Sequence, residues 1–349
     1  QRYEGSQYTD EILYKNGLLI LSINKGPQGP GEIADAPSVH KTIAVYDAAS
    51  GEQLWQAGDF IGNSTKTKSI ERETHLLISA SDDQIFLLDG DAVVSMDLET
   101  GEQLWRSPRP VSPDYTSRYD HRMSEMCTLV ATEDAILLCQ LEPIQERIGW
   151  RVIKARIQAY DPESGEPMWE YKCGNWGHFC VPDVFVAQGL VWVHDEAIMS
   201  IVGLDPITGI EQRRLSTEKA LDNGHHHRCY RNKATEQFLI TSFRGLEYID
   251  WASGDIDRNH WVRGACRYGV MPCNGLIYST PHPCDCYITS KLNGFHALAP
   301  VSLDTDQPVM IEDAVRLHKG PAYESSFDSS PKHPALWPMY RHDAARTGC

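Results

Sequence analysis

The sequence predicts an all-β protein: a β-propeller of four-stranded blades, with seven blades expected, eight as the alternative, and an irregular C-terminal tail. Two observations carry this prediction. A short motif built on Asp and Gly occurs five times, with its Asp residues 44 to 64 positions apart. Apolar runs typical of strands fill the intervals between the copies. Four strands in each interval is the pattern of a propeller blade.

Each copy of the motif reads as a strand, a reversing turn and a second strand. In the turn, Asp-x-x-Ser/Thr-Gly, Asp caps its own backbone and Gly takes the positive φ that other residues resist. Three copies end in Trp, whose ring we expect to pack between neighbouring blades, whereas two carry Arg213 and Arg258 there. The copies are AVYDAASGEQLW (44–55), VSMDLETGEQLW (94–105), QAYDPESGEPMW (158–169), VGLDPITGIEQR (202–213), EYIDWASGDIDR (247–258) and a weaker sixth, GFHALAP (294–300).

Further strand signals lie between the turns. They are DEILYKNGLLILSI (10–23), AILLCQ (135–140), GLVWV (189–193), QFLITS (237–242) and GLIYST (275–280). Together with the repeat they assign residues 1–300 to the propeller. Residues 301–349 lack the pattern and read as a tail or linker.

The motif Tyr-Asp-x-x-Ser-Gly-x-x-x-Trp, present at 46–55 and 160–169, resembles the repeat of quinoprotein-like (PQQ-repeat) β-propellers. That family includes quinone-dependent alcohol dehydrogenases and an outer-membrane assembly lipoprotein, so the resemblance implies the fold and leaves the function open. The segments HHRCYRNKAT (226–235) and WPMYRHDAAR (337–346) resemble propeller modules of exported, planctomycete-type multi-propeller proteins. The second segment resembles the opening of a further module. PQQ itself is not expected, since the chain has no vicinal Cys-Cys pair.

Charge and hydropathy exclude two classes of partner. The formal net charge is −16, which argues against nucleic acid because phosphate binding needs clustered Lys and Arg. No apolar run reaches the roughly 18–20 residues that span a bilayer, so no transmembrane segment is predicted. The chain begins at Gln1, and an upstream leader is one interpretation. With the resemblance, we expect an exported protein: periplasmic, cell-surface or secreted.

Four of the ten cysteines stand nine or ten residues before a predicted strand, and therefore in one equivalent slot of successive blades. They are Cys127, Cys180, Cys229 and Cys266. That slot belongs to the innermost strand or to the loop leading into it, which faces the central channel. Three readings stay open: a small apolar residue where inner strands crowd, disulfides between neighbours, or a shared metal or thiol site.

The stretch NGHHHRCYRNK (223–233) is the most unusual segment of the chain. We predict that it forms the inner strand of a remodelled blade, with alternate side chains on opposite faces. Its residue types fit a lyase for acidic polysaccharides, which needs a cation for the uronate carboxylate, a base and an acid. The catalytic candidates are His225, His227, Arg228, Tyr230 and Arg231, which His178, His260 and Arg263 could join.

Metal binding is the second reading of these residues, with zinc or copper as the expected ion. The candidate ligands are His226, His178, Cys229, Cys266, Cys273, His282, Cys284 and Cys286. Disulfides from Cys273 to Cys284 or Cys286, and between Cys173 and Cys180, are alternatives. A third reading is a non-catalytic scaffold that binds a partner protein or an acidic glycan.

Overall fold

A computed structural model describes residues 3–24, 41–62, 76–110, 127–142, 147–148, 152–176, 182–218, 227, 230–266, 268–281, 292 and 294–300. All of these residues except Pro300 belong to one compact unit, Gln1–Ala299. The predicted tail lies outside the described residues and stays a prediction. None of the described residues forms a helix long and apolar enough to cross a membrane.

The described residues form six antiparallel sheets. Sheet one contains β1 (Thr9–Lys15), β2 (Leu18–Asn24), β3 (Lys41–Asp47) and β4 (Gln53–Phe60). Sheet two contains β5 (Ile78–Ala80), β6 (Gln84–Asp89), β7 (Ala92–Asp97) and β8 (Gln103–Pro108). Sheet three contains β9 (Cys127–Ala131), β10 (Ile136–Leu141), β11 (Arg147–Ile148), β12 (Val152–Tyr160) and β13 (Pro167–Trp176).

The other three sheets follow in chain order. Sheet four contains β14 (Val184–Ala187), β15 (Leu190–Asp195), β16 (Ser200–Leu204) and β17 (Glu211–Ser216). Sheet five contains β18 (Lys233–Ala234), β19 (Phe238–Thr241), β20 (Leu246–Asp250) and β21 (Ile256–Asn259). Sheet six contains β22 (Val270–Cys273), β23 (Leu276–Ser279) and β24 (His296–Leu298).

The strand order and the contacts between sheets are those of a β-propeller. In five of the six sheets each strand pairs with the next along the chain. The first strands touch from sheet to sheet: β1 contacts β5, β5 contacts β9, β9 contacts β14, and β18 contacts β22. The first strands are therefore the inner edges of the blades, and the predicted all-β propeller is confirmed. Six blades lie within the described residues; the total of seven or eight stays a prediction.

Each neighbouring pair of sheets shares a buried apolar cluster. Between sheets three and four, for example, Leu137 and Ile157 pack with Val193 and Val202. Similar clusters fill the other four junctions between consecutive sheets. Removing this apolar surface from water is the main force that holds the blades face to face.

The predicted Asp turns form at all five positions. In sheet two, Asp97 Oδ1 accepts hydrogen bonds from the backbone N–H of Thr100 at 2.7 Å, from its hydroxyl at 2.8 Å, and from the backbone N–H of Glu99 at 3.0 Å. These bonds favour the charged carboxylate and lower the pKa of Asp97. Gly101 follows with φ of 74°.

The Trp residues of the motif dock onto the turns of the following sheets, as predicted. A Cβ built on Gly101 would lie 2.6 Å from the Trp55 ring, so only glycine fits beneath the indole. The indole Nε1 donates to the carbonyl of Leu98 at 2.9 Å. Trp105 and Trp169 repeat the arrangement on the next two turns.

In sheet five, two side chains from sheet four cover the Asp turn where the turns of sheets two to four have Trp. Arg213 stands where the earlier copies have Trp, and its guanidinium donates to the carbonyl of Ala252. Leu215 covers Gly254, where an added Cβ would lie 3.1 Å from the Leu215 Cδ2. The missing Trp is therefore replaced by an apolar cover and a separate hydrogen-bond donor.

Sheet one receives its docking side chain from the residues just before β1. The hydroxyl of Tyr3 donates to the carbonyl of Ala48 at 3.0 Å, and Ala48 follows Asp47 as Leu98 follows Asp97. The Tyr3 ring packs edge-on against Tyr46, whose own hydroxyl donates to the Glu4 carbonyl at 2.8 Å. Tyr3 thus takes in sheet one the place that Trp takes in sheets two to four.

The two ends of the sheets differ in their connections. The first and second strands, and the third and fourth, are joined at one end by short turns such as Asn16–Gly17 and the Asp turns. Because the strands are antiparallel, the second-to-third connections and the links between sheets lie at the opposite end. The longest connections are there, for example residues 25–40, 109–126 and 217–232. We call it the long-connection end.

Candidate functional site at the junction of sheets four and five

A compact group of titratable side chains lies at the long-connection end, between sheets four and five. His194 is near the end of β15, and Glu196 opens the turn to β16. His227 lies in the chain that leads from β17 into β18. The group therefore joins a turn of one sheet to the connection that enters the next.

The three side chains are close together and buried. One ligand atom from each lies within 4.8 Å of the other two. His194 Nδ1 is 3.3 Å from Glu196 Oε1, and both side chains are 6% exposed. The rings of His194 and His227 have their centroids 6.4 Å apart, and His227 is 3% exposed. This is a small polar site enclosed by protein.

Thr217 fixes the orientation of His194. Its Oγ1 lies 3.2 Å from His194 Nε2, while the other ring nitrogen faces Glu196. With Nε2 carrying the proton and donating to Thr217, Nδ1 presents a lone pair to the site. In that tautomer, His194 can bind a proton or a metal ion at Nδ1.

Burial shifts the pKa values of two members of the group in opposite directions. It lowers the pKa of His194 to about 4, because the charged imidazolium loses its hydration; Asp195 and Glu247 oppose this shift. It raises the pKa of Glu196 to about 7, with Asp195 adding to the rise and His227 opposing it. At neutral pH His194 is an uncharged imidazole, as a metal ligand must be.

Asp195 braces the turn on which Glu196 lies. Its Oδ1 accepts the backbone N–H of Gly174 at 2.8 Å and that of Ala197 at 3.0 Å. The N–H of Glu196 in turn donates to the Gly174 carbonyl at 2.9 Å. Because Gly174 belongs to β13, these bonds tie the turn to sheet three and set the position of Glu196.

Tyr230, a predicted catalytic residue, is buried in packing between sheets five and six. Its hydroxyl is hydrogen-bonded to Ser242 Oγ and accepts the N–H of Gly264 at 3.0 Å. Its ring lies on Gly269, where an added Cβ would be 2.8 Å away. Contacts with Ser242, Gly264 and Gly269 therefore hold the phenol in place.

Arg231, the second predicted catalytic residue, links three sheets at their inner edges. Its guanidinium donates to the carbonyl of Cys127 at 2.7 Å, to Thr128 Oγ1, and to Asp183 Oδ1 at 3.2 Å. The N–H of Asn232 donates to the other oxygen of Asp183 at 2.9 Å. Burial raises the pKa of Asp183, and Arg231 opposes the rise by favouring the carboxylate.

The prediction that residues 223–233 form an inner strand is confirmed for Lys233 and is wrong for His227, Tyr230 and Arg231. The inner strand of sheet five is β18, Lys233–Ala234, and the residues His227, Tyr230 and Arg231 precede it without strand pairing. The physical reason is that Tyr230, Arg231 and the Asn232 backbone bind groups of neighbouring sheets. These bonds hold the chain out of the ladder.

The cysteine predictions have mixed outcomes. Cys127 begins the inner strand β9, and Cys266 lies in the link that leads into the inner strand β22, both as predicted. No disulfide is found among the described cysteines; Cys139, Cys173 and Cys273 carry free thiols. The bridges considered for Cys173 and Cys273 are therefore absent here. Cys173 instead lies in the same apolar core cluster as Cys139, whose thiol donates to the Asp183 carbonyl at 3.9 Å.

The remaining predicted residues do not assemble into one described site. His260 Nε2 lies 3.6 Å from Glu247 Oε1, and this carboxylate also accepts the backbone N–H of Phe243 and Arg244. Arg263 is buried. The others fall outside the described residues, and their roles stay predictions; they are His178, His225, His226, Arg228, Cys229, His282, Cys284 and Cys286.

Sequence reasoning identified His227 and missed its neighbours His194 and Glu196. A local signal was available: His194, Asp195 and Glu196 are three consecutive titratable residues directly after the apolar run Leu190–Val193. Polar residues that follow a buried strand are well placed for a site. The 33 positions between His194 and His227 hide their proximity from any local pattern.

Comparison with known proteins agrees with the architecture. Residues 39–137 match a family model described as outer membrane protein assembly factor BamB. No curated protein matches the chain in sequence. Similar solved structures include BamB from Moraxella catarrhalis, with 12% identity, a TM-score of 0.45, and coverage of 77% of this chain and 65% of that one.

Two other solved structures are similar to the same degree. The quinohemoprotein alcohol dehydrogenase from Comamonas testosteroni is 11% identical, with a TM-score of 0.41 and coverage of 70% of this chain and 42% of that one. The WD40 domain of SCAP from fission yeast is 10% identical, with a TM-score of 0.40 and coverage of 78% and 62%. The chain thus spans less than two thirds of each of these three structures.

The family match covers the second half of sheet one, all of sheet two and the start of sheet three, and it includes Trp55 and Trp105. The motif, its docking geometry and the four-stranded sheets thus agree with the match. Residues 39–137 are thus similar to the PQQ-repeat family of the outer membrane protein assembly factor BamB, and the chain has the β-propeller fold.

Proposed function

We propose that this chain is a non-catalytic interaction propeller, which binds a partner protein at the long-connection end of sheets five and six. One observation carries the proposal: four large apolar side chains in this sector are each half or more exposed. They are Trp261, Tyr268, Met271 and Phe295. Aromatic residues and Met are enriched where proteins bind one another.

All four residues belong to one end of two neighbouring sheets. Trp261 and Tyr268 are in the link from β21 to β22, and Met271 is the second residue of β22. Phe295 directly precedes β24, after the connection from β23. Both connections lie at the long-connection end, so the topology gathers these side chains in one sector.

The contacts of Tyr230 and Arg231 favour binding over catalysis. A lyase needs a cationic group for the uronate carboxylate and a base that reaches the substrate. Arg231 is instead bound to Asp183, Thr128 and Cys127, and Tyr230 to Ser242 and Gly264. Both side chains support the sheets on which a partner would rest.

Charge and family favour a protein over an acidic glycan as the partner. The net charge of −16 repels a polyanion. The matched family is named for a factor that assists the assembly of outer membrane proteins, and such a factor acts on other proteins. We extend this to an exported location, periplasmic, cell-surface or secreted, for the present chain.

Site-specific photo-crosslinking tests the proposal. A photoreactive residue at Tyr268 is expected to capture a defined partner, and the same residue at Ile207, exposed in an Asp turn at the opposite end, is not. The purified partner is then titrated against the chain. We expect Trp261→Ala and Tyr268→Ala to weaken binding at least about tenfold, and Ile207→Ala to leave it unchanged.

Two results would contradict the proposal. Equal capture at Tyr268 and Ile207 would show that the partner does not bind at the proposed face. Equal affinities of Trp261→Ala, Tyr268→Ala and Ile207→Ala for the partner would show the same. Release of unsaturated uronates from an acidic polysaccharide, with loss of that release in Arg231→Lys, would establish the lyase instead.

A further inference from the structure

We propose that His194, Glu196 and His227 form a binding site for a divalent transition-metal ion of the zinc class, with three protein ligands and one open position. The proposal rests on a different set of residues from the partner-binding face and does not depend on it. It starts from a cluster that offers two imidazoles and one carboxylate within 4.8 Å.

The spacing of the cluster is that of a metal site before the ion enters. Zinc binds nitrogen and carboxylate oxygen at about 2.0–2.2 Å, which sets neighbouring ligand atoms of a tetrahedron about 3.3–3.5 Å apart. His194 Nδ1 and Glu196 Oε1 are already 3.3 Å apart. The other pairs need to close by at most about 1.5 Å, which small rotations of the side chains supply.

The surroundings of His194 are those of a metal ligand. Metal-bound histidines commonly donate their second ring N–H to an oxygen, which fixes the ring and its tautomer. Thr217 Oγ1, 3.2 Å from Nε2, is placed to accept that bond. The bracing of the turn by Asp195 holds Glu196 opposite the Nδ1 lone pair.

The ligand types select the ion. Two imidazoles disfavour Mg²⁺ and Ca²⁺, which prefer oxygen, and suit Zn²⁺, Co²⁺, Ni²⁺ or Cu²⁺. Two histidines and one glutamate also leave the fourth tetrahedral position free for water or for a donor atom of a bound molecule. All three side chains are more than nine-tenths buried, which separates this group from the exposed acids of the surface.

The ion would add a second link between sheet four and the segment that enters sheet five, beside the ion pair of Arg231 with Asp183. Glu196 and His194 belong to sheet four, whereas His227 precedes sheet five. A metal bridge between them stabilises the folded state by its binding free energy, since the unfolded chain does not hold the three ligands together.

Metal titration of the untagged, chelator-treated chain tests the proposal. We expect one equivalent of Zn²⁺ to bind in calorimetry, and Co²⁺ to give the visible absorption of a four-coordinate ion. Glu196→Gln, which keeps the shape of the side chain, is expected to weaken Zn²⁺ binding at least about 100-fold. Thr217→Val, which removes only the orienting contact, should weaken it about 10- to 100-fold.

Two controls distinguish this site from other histidines. His296→Ala, on β24, should bind Zn²⁺ as the unaltered chain does. The double variant His225→Ala, His226→Ala tests whether the histidine run itself takes up the ion, and it too should retain binding. If this double variant abolishes binding while Glu196→Gln does not, the proposal is overturned.

The unaltered chain provides a second test if His227→Ala or Glu196→Gln fails to fold. Its unfolding temperature should rise on addition of Zn²⁺ and stay constant with Mg²⁺ at the same concentration. The proposal is overturned if Zn²⁺ shows no saturable binding. It is also overturned if added Co²⁺ gives only the spectrum of the hexa-aqua ion. Partner binding through Trp261 and Tyr268 is measured separately, so the two proposals fail independently.

Discussion

The indole of Trp105 lies so close to Gly165 of the next sheet that a methyl group on Gly165 would meet the ring at 2.5 Å. The same indole donates to the Pro162 carbonyl at 2.8 Å. At this junction Trp105 and Gly165 together form one joint between neighbouring blades.

Gly165→Ala should destabilise the fold more than Gly189→Ala. Both glycines have φ of 73°, but an added Cβ at Gly189 meets nothing within 4 Å. Gly189→Ala therefore measures the backbone strain alone, about 1–2 kcal/mol. Displacing the Trp105 ring should add about 1–3 kcal/mol at Gly165. Urea unfolding measures both, and equal losses would show that the ring moves aside without cost.

Removing Arg231 should weaken the contact between three sheets. Arg231→Ala leaves the buried Asp183 carboxylate without its cation, and we expect the free energy of unfolding to fall by about 2–4 kcal/mol. Asp183→Asn in the Arg231→Ala background should recover part of the loss, because the uncompensated charge is gone. A double variant as unstable as the sum of the single variants would contradict this coupling.

Arg214 provides the matched surface control. It pairs with Glu211 at 2.6 Å, but the Glu211 side chain is 36% exposed, whereas the Asp183 partner of Arg231 is only 7% exposed. Solvent screening leaves such pairs worth roughly 0–1 kcal/mol. Arg214→Ala should therefore change the urea midpoint only slightly, whereas Arg231→Ala shifts it clearly.

The Asp turns predict how stability depends on pH. Hydrogen bonds from the turn lower the pKa of all five carboxylates below the ordinary 3.8; these are Asp47, Asp97, Asp161, Asp205 and Asp250. A lowered pKa contributes stability that is present above the unfolded-state value and is lost as the pH falls through the folded-state value. Stability should therefore decline below about pH 4.

Asp97→Asn isolates one turn. The variant keeps an oxygen acceptor but loses the charge, so it should be less stable than the parent by a constant amount above about pH 5. The difference should shrink as the pH falls below about 4, where the parent carboxylate takes up a proton. A difference that is constant down to acid unfolding would show that the charge makes no contribution.

The described thiols should differ in reactivity. Cys139 is buried, and its hydrogen bond with Cys173 and its burial raise the pKa of the Cys139 thiol well above its ordinary value. Cys273 is exposed. In the native chain at neutral pH, iodoacetamide should modify Cys273 and leave Cys139 and Cys173 intact, because thiolate and access are both required. Peptide mass spectrometry identifies the modified cysteines. Modification of Cys139 as early as Cys273 would contradict the burial of the Cys139 thiol.

The parts of the fold that depend on neighbouring residues were predictable from the sequence. Asp97 and Gly101 form their turn through contacts within five residues, and the recurrence of the motif revealed Trp55 as a docking residue. The strand predicted over residues 223–233 is wrong for Arg231, because Arg231 bonds to residues more than 100 positions away. No sequence periodicity reports such a contact. His194 and Glu196 were missed for a similar reason.

The position of Tyr3 bears on the order in which the blades form during synthesis. Each Trp docks onto the turn of a sheet that is made later, so the joint must wait for the chain that follows. The joint at the Asp turn of sheet one is different, because Tyr3 is synthesised before the turn at Ala48 that it covers. Sheet one can therefore complete this joint with residues up to Phe60 alone, before the sheets that follow it are synthesised.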